Sequence, residues 1–324
     1  MANTTKVLQA VSITDEKFFT VSEEQLEKYE DALFDLERFD TILIKAPARV
    51  DIAQKSSFPI LYISQSDDYR EWHVQEYRNL LVSAYNTSTG KLIARTARKD
   101  EKQTIYPPKD ERSGPPPDDI STTSYGTGCE IINIKNSLDI PWQPSRYRIT
   151  LICFDWVSNT ADVTLHDGSA QPETNLILPG ETDMTIDAIL SPSQGAERGE
   201  ITFSVPEKLD TNPKKFTVQG KFSIPVTSGN IVEINNAKSI LIPAWLMVVG
   251  KNIDQGSATL AKWYITADMP EKLNTATIAE GIFKFSMSEI LPIVSEAPFA
   301  PNDYCCYVVI NGHLSGPQKC RVSE

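Results

Sequence analysis

The sequence predicts a mainly β protein of two tandem antiparallel β-sandwich domains, preceded by a short N-terminal amphipathic helix. Three observations favour this fold class. The chain has 324 residues, more than a single core usually organises. From residue 41 onward, short runs of β-branched and aromatic residues are separated by Gly, Pro, Asn and Asp. The order of these runs is similar in the two halves of the chain, which indicates an internal repeat.

The predicted helix lies in an acidic N-terminal segment, residues 1–40. Ser22 can cap it, with Gln25 three residues later. The apolar residues that follow at helical spacing are Leu26, Tyr29, Leu33 and Leu36. Asp and Glu dominate the other positions, which is typical of a solvated helix face; an acidic docking surface is the alternative. We expect this segment to pack on the first domain.

The strand patterns place the first sandwich at residues 41–170 and the second at residues 199–324. Residues 171–198 are predicted to connect them, because Pro and Gly surround one short apolar piece. Within the first domain, residues 99–128 contain two proline clusters and few residues that could enter a core. This Pro-rich loop is either a mobile insertion or an arm that docks on a partner or on a neighbouring subunit and so supports oligomerisation.

The closing segments of the two halves carry the most specific repeat. Residues 144–153 and 301–310 each begin with Pro, place a Tyr three residues later and continue as an apolar strand. The match extends without a gap to the last strand of each half. Once gaps are allowed, residues 80–85 also resemble residues 240–245, and the four residues from Arg49 resemble the four from Lys221.

The tyrosines of these segments, Tyr147 and Tyr304, suggest a more specific architecture. A Tyr that opens an alternating apolar strand resembles the tyrosine corner of immunoglobulin-like sandwiches. The resemblance covers about twenty residues in each half and implies two immunoglobulin-like domains. We expect both rings to be buried, with each hydroxyl bonded to the backbone just before its strand.

Charge and cysteine content exclude several partners and compartments. The net charge of −12 and a pI near 4.9 predict no binding of nucleic acid, whose phosphates require clustered Lys and Arg. The chain starts without a recognisable signal peptide and has no apolar run that could span a bilayer. The five cysteines form an odd set and are predicted to be unbridged. The expected location is cytoplasmic, or secreted by a route that needs no signal peptide.

Motifs for catalysis and cofactor binding are absent from the sequence. No phosphate-binding Gly-rich loop is present, and the three histidines do not have metal-ligand spacing. The stretch Gly312–Gly316 contains a His and a Ser but does not match the nucleophile motif of hydrolases, and it is predicted to be a hairpin loop. The sequence therefore predicts no catalytic residue, no cofactor and no metal.

Aromatic and imidazole side chains give the best indication of a contact surface. Tyr69, Trp72 and Tyr77 lie in a polar stretch, while Trp156 and His313 lie near the closing strands of the two halves. For each tryptophan, a role in the core is the alternative. The leading hypothesis is a non-catalytic binding or assembly protein that acts on a protein or a glycan through sandwich loops and the Pro-rich loop. The alternatives are a toxin or effector component exported without a leader, and a hydrolase with acidic residues in a cleft between the domains.

Overall fold

The computed structural model describes residues 2–34, 36, 41–66, 80–97, 126–168, 174–192, 199–209, 216–234, 237–251, 258–269, 277–286, 289 and 302–322. These residues form a mainly β structure, as predicted. The helices are α1 (Ala2–Ala10), α2 (Glu23–Phe34) and α3 (Ile134–Leu138).

The strands of the first half of the chain precede residue 170. They are β1 (Thr41–Lys45), β2 (Arg49–Asp51), β3 (Pro59–Ser66), β4 (Leu80–Asn86), β5 (Leu92–Thr96), β6 (Gly126–Asn133), β7 (Ser145–Cys153), β8 (Trp156–Val157) and β9 (Ala161–His166). Sheet 1 has the strand order β1-β3-β6. Sheet 2 has the order β2-β9-β7-β4-β5, with β8 paired to β7.

The strands of the second half follow a corresponding order. They are β10 (Thr185–Asp187), β11 (Ile189–Pro192), β12 (Glu200–Ser204), β13 (Lys208–Leu209), β14 (Thr217–Pro225), β15 (Ile231–Ile234), β16 (Ala237–Gly250), β17 (Thr259–Asp268), β18 (Thr277–Ser286), β19 (Asn302–Ile310), β20 (His313–Leu314) and β21 (Gln318–Val322). Sheet 3 has the order β13-β21-β19-β16-β17-β10, with β15 and β20 attached to β16 and β19. Sheet 4 has the order β12-β14-β18-β11.

The four sheets and the N-terminal helices form a stack of layers. Isoleucines of sheet 1, such as Ile42, pack against Val82 and Ile149 of sheet 2 and form the first core. Sheets 3 and 4 enclose the second core, in which the Trp263 ring lies 4.8 Å from the ring of Phe285. A third cluster of apolar residues lies between sheets 2 and 3 and includes Leu81, Ile152, Met247 and Tyr307. We call this contact between the two sheets the joint. Sheets 2 and 3 are therefore covered on both faces.

Helix α2 lies where the sequence predicted the N-terminal helix. The Gln25 amide donates to the Ser22 hydroxyl at 3.3 Å, as expected for a cap. Leu33, with Leu26, Tyr29 and Leu36 beside it, packs on the outer face of sheet 1. One acidic residue also takes part in this contact, because the Cys129 amide donates to the Glu30 carboxylate at 2.8 Å. Helix α1, which the sequence reasoning missed, places Val7 in the same cluster.

The pairing of the closing strands is the same in the two halves. Tyr147 lies opposite Val163 in β7 and β9, and Tyr304 lies opposite Cys320 in β19 and β21. The predicted gapless match therefore corresponds to an identical register. In each half one short strand runs parallel to the last strand, β2 along β9 and β13 along β21. The prediction of antiparallel sandwiches is wrong at these pairs, and also at β10 with β17, which run parallel.

The predicted connection between the halves contributes to the sheets. Strand β10 pairs with β17 of sheet 3, and β11 pairs with β18 of sheet 4. Upstream of β10, the Ile177 amide donates to the Thr89 carbonyl at 3.0 Å, which ties the connection to the β4–β5 turn. Residues 126–128 of the predicted Pro-rich loop form the start of β6.

The two corner tyrosines, Tyr147 and Tyr304, are both buried, as expected. The Tyr147 ring meets Phe58 at a centroid distance of 6.4 Å, and its hydroxyl has no hydrogen-bond partner among the described residues. Burial raises the pKa of this phenol, while the neighbouring Asn86 and Ser145 side chains lower it. The expected backbone hydrogen bond is therefore wrong for Tyr147: the ring is placed by apolar packing.

Candidate functional site

The predicted contact residues fall into two groups. Tyr69, Trp72 and Tyr77 lie outside the described residues, and so do residues 99–125 of the Pro-rich loop. Trp156 and His313 are described.

The strands that flank the undescribed segments 67–79 and 98–125 end at one edge of the first half. Ser66 of β3 pairs with Gly126 of β6. Leu80 of β4 pairs with Cys153 of β7, and the Ala97 amide donates to the Leu80 carbonyl at 2.8 Å. The Phe58–Tyr147 contact between the two sheets lies at the opposite edge. The described residues on either side of both segments therefore lie at the same end of the strands, which we call the loop edge.

Trp156 belongs to the loop edge as well. It lies in β8, directly opposite Cys153, next to the turn formed by Phe154 and Asp155. Its side chain is half-buried and packs against the first core. Trp156 therefore combines an apolar anchor with partial exposure at the edge where segments 67–79 and 98–125 begin and end.

His313 occupies the matching position in the second half, in β20, but it faces the first half. Its Nε2 atom lies 3.4 Å from Nη1 of Arg148. Burial, and then the charge of Arg148, lower the pKa of His313 to about 4, although Asp162 acts in the opposite direction. The imidazole is therefore neutral near pH 7. Trp156 and His313 are related by the repeat and are not parts of one site.

Arg148 is the centre of this polar cluster. Its Nε atom donates to the Asp162 carboxylate at 2.9 Å, and its Nη1 atom donates to the Asn311 carbonyl at 3.4 Å. The neighbouring Tyr85 hydroxyl is buried without a hydrogen-bond partner among the described residues, and burial raises its pKa. Arg148 therefore connects the two halves, because its guanidinium group contacts His313 in β20 and Asn311 in the turn before β20.

A second set of polar contacts crosses the joint near the loop edge. The Tyr307 hydroxyl donates to the Phe154 carbonyl, and the Lys319 ammonium lies 2.5 Å from the Asp155 carboxylate. The Trp245 indole donates to the Gly90 carbonyl at 3.0 Å on the other side. These contacts fix the mutual orientation of the halves as well as their distance.

The apolar part of the joint was missed by the sequence reasoning. Leu81 and Ile152 of sheet 2 pack against Met247, Val249 and Tyr307 of sheet 3, all of them buried. The signal was available in the strands themselves. A strand with one solvated face alternates apolar and polar residues, whereas β4 is buried at all seven positions and β16 is apolar from Ile240 to Val249, as strands buried on both faces are.

Within the described ranges, no three or more His, Cys, Asp or Glu side chains are grouped so that they could hold a metal ion. The same part of the chain has no helix of sufficient length and hydropathy to cross a bilayer. All five cysteines are unbridged.

Comparisons with known proteins give no family assignment. No protein-family model and no curated protein matches the chain. Solved structures with local similarity include an alkylpurine DNA glycosylase of Pseudomonas fluorescens bound to DNA containing an abasic site analog, at 12% identity and a TM-score of 0.22. Another is a beta-glucosidase of Listeria innocua in complex with isofagomine, at 16% identity and a TM-score of 0.23. Each alignment covers 39% of this chain, but only 31% of the glycosylase and 16% of the glucosidase. Similarity at this level carries no argument about fold or function.

Proposed function

We propose that this chain is a non-catalytic binding or assembly protein whose loop edge contacts a protein or glycan partner. The observation that carries the proposal is the joint between sheets 2 and 3, which combines buried apolar residues with hydrogen bonds in both directions and the Lys319–Asp155 ion pair. A joint of this kind holds two sandwiches as one frame, and binding residues are commonly carried on loops that a rigid frame positions.

We further propose that each half is an immunoglobulin-like sandwich. The support is the strand order, because corresponding strands are paired in the same order in the two halves. Sheet 1, β1-β3-β6, corresponds to β12-β14-β18 of sheet 4, and β2-β9-β7-β4-β5 of sheet 2 corresponds to β13-β21-β19-β16-β17 of sheet 3. In sandwiches of this kind the connections between strands cluster at the two ends. The described residues that flank segments 67–79 and 98–125, among them Ser66, Leu80 and Gly126, lie together at one such end, the loop edge.

Within this proposal, Trp72, Tyr69 and Tyr77 of segment 67–79 are the aromatic contact residues expected from the sequence, and Trp156 is a further contact residue at the loop edge. Aromatic rings of this kind stack on sugar rings and anchor protein interfaces. His313 has a positioning role at the joint, and partner contact through it is not part of the proposal. The hydrolase alternative has less support, because the carboxylates of Asp155 and Asp162 at the joint are engaged by Lys319 and Arg148.

The test is a glycan array together with co-purification from lysate of the source cells, using the wild type, Trp72→Ala and a control variant. Lys91→Ala is a suitable control, since Lys91 is exposed in the β4–β5 turn at the edge opposite the loop edge. We expect a partner or glycan that the wild type and Lys91→Ala retain and that Trp72→Ala loses by tenfold or more, the range of an anchor residue. Equal binding by all three proteins, or no retained partner, would overturn the proposal.

A further inference from the structure

Two cysteines of the second half lie side by side in the second core. Cys306 is in β19 and Cys320 is in β21, and their sulfur atoms are 3.7 Å apart. Cys320 lies opposite Tyr304 in the pairing of these strands, two residues from Cys306, so the two thiols are diagonal neighbours on one face of sheet 3. Both side chains are buried and belong to the second core.

The thiols interact with each other. Cys306 and Cys320 are within hydrogen-bonding distance, and this contact, followed by burial, raises the pKa of Cys306. The same contact lowers the pKa of Cys320. The pair therefore favours a proton on Cys306 and the developing negative charge on Cys320, which makes Cys320 the sulfur from which oxidation can begin.

We propose that Cys306 and Cys320 are a redox-sensitive pair that forms a disulfide between β19 and β21 when the protein meets a thiol oxidant, such as a low-molecular-weight disulfide. A disulfide bond is about 2.0 Å long, so the sulfur atoms must move closer than their present contact. Strand β21 can supply this movement. On its outer side it pairs with β13, whose described residues are Lys208 and Leu209.

The chemistry of the pair balances with a simple oxidant. The Cys320 thiolate attacks one sulfur of a small disulfide, forms a mixed disulfide and releases one thiol. The Cys306 thiolate then attacks the Cys320 sulfur, forms the Cys306–Cys320 bond and releases the second thiol. Two protein thiols lose two electrons, which reduce the small disulfide to two thiols, and the two protons end on those thiols. A reductant reverses both steps.

The pair also differs from the adjacent cysteine. Cys305 precedes Cys306 in β19, and successive side chains of a strand point to opposite faces. Its side chain accordingly lies in the joint, away from the second core. Burial raises the pKa of Cys305 to about 12. Cys305→Ala is therefore a matched control, with the same residue type, the same strand and the opposite face.

The experiment treats the folded wild type with oxidised glutathione over a range of concentrations, quenches free thiols with an alkylating agent and maps the peptides by mass spectrometry without reduction. We expect two of the five thiols to disappear together and a peptide pair linked through Cys306 and Cys320. The linkage should persist in Cys305→Ala, be absent from Cys306→Ala and Cys320→Ala, and disappear on reduction. The oxidised protein should also unfold at a higher temperature, because a bridge across 14 residues restricts the unfolded chain.

Two outcomes would overturn the inference. One is that all five thiols stay free at the highest oxidant concentration at which circular dichroism still shows the native fold. The other is a linkage that involves Cys305 or a cysteine of the first half. Because the peptide map uses the wild type, the result stands even where an alanine variant in the core fails to fold.

Discussion

The backbone carbonyls of Phe154 and Asn311 occupy equivalent hairpin turns in the two halves, and each accepts a hydrogen bond from the other half. Phe154 follows β7 and has φ 52°, and Asn311 follows β19 and has φ 49°. The Tyr307 hydroxyl donates to the first carbonyl and the Arg148 guanidinium donates to the second. The reciprocity indicates that the halves meet through corresponding surfaces, as two subunits of a symmetric dimer do.

The Tyr307 hydroxyl should therefore contribute measurably to stability. We expect Tyr307→Phe to lower the free energy of unfolding by about 1 kcal/mol or somewhat more, because it leaves the Phe154 carbonyl without its donor. The control is Tyr62→Phe. The Tyr62 hydroxyl is equally buried but has no hydrogen-bond partner among the described residues, so its removal should be neutral or slightly stabilising. Urea unfolding of both variants checks this, and equal losses would argue against the hydrogen bond across the joint.

A second prediction concerns the glycine that follows Asn311. Gly312 has φ +77°, and a Cβ atom there would lie 2.8 Å from Cδ1 of Tyr85. Gly168 has a similar φ of +83°, with no atom within 4 Å of its added Cβ. Gly168→Ala should cost about 1 kcal/mol from backbone strain alone. Gly312→Ala should cost more, because it also forces the two halves apart at Tyr85. Equal midpoints of thermal unfolding for the two variants would show that the turn does not contact the first half as described.

The repeat was predictable from sequence only where the strands carry a distinctive residue. The Pro-x-x-Tyr segments gave the correct register of the closing strands. The upstream match of residues 80–85 with 240–245 was wrong. Leu80 pairs with Cys153, whose counterpart in the second half is Ile310. Ile310 pairs with Ala244, so Leu80 corresponds to Ala244 and not to residue 240. Strands β4 and β16 are apolar on both faces, so they show no alternation of apolar and polar residues that would fix the register in which the two strands are aligned.

The other upstream match was wrong for a related reason. The sequence matched the segment from Arg49 with the segment from Lys221. In the structure Arg49 pairs with Thr164, and the residue that pairs at the corresponding position of the second half, Arg321, is Lys208. The counterpart of Arg49 is therefore Lys208. Strands of two or three residues leave too little pattern to identify. The joint was missed because the prediction treated the halves as separate domains, although the two-sided apolar character of β4 and β16 already indicated another covering layer. The helix α2 was found because its cap and its spacing are local signals.

The neutral His313 makes a pH-dependent contribution to stability. Its pKa is about 4 in the folded protein and near 6.5 in an unfolded chain. Between these values the unfolded chain binds more protons, so acid favours unfolding. The contribution is fully present above pH 6.5 and is lost as the pH falls towards 4, by up to about 3 kcal/mol.

The matched variant for this prediction is His313→Gln, which keeps a polar side chain but does not titrate. We expect the difference in unfolding free energy between wild type and variant to stay constant from pH 8 to pH 7 and to shift against the wild type from pH 6.5 to pH 4. Denaturant titrations at these pH values measure it. A difference that does not change with pH would mean that His313 is not held neutral at the joint.

The fixed joint is the central claim, and residual dipolar couplings of the deuterated protein test it most directly. Amides of β4 and β7 report on sheet 2, and amides of β16 and β19 report on sheet 3. If the joint holds the halves as one frame, couplings from both sheets fit a single alignment tensor with the orientation seen in the structure. Two tensors of different magnitude for the two halves would show that they move independently and would contradict the account.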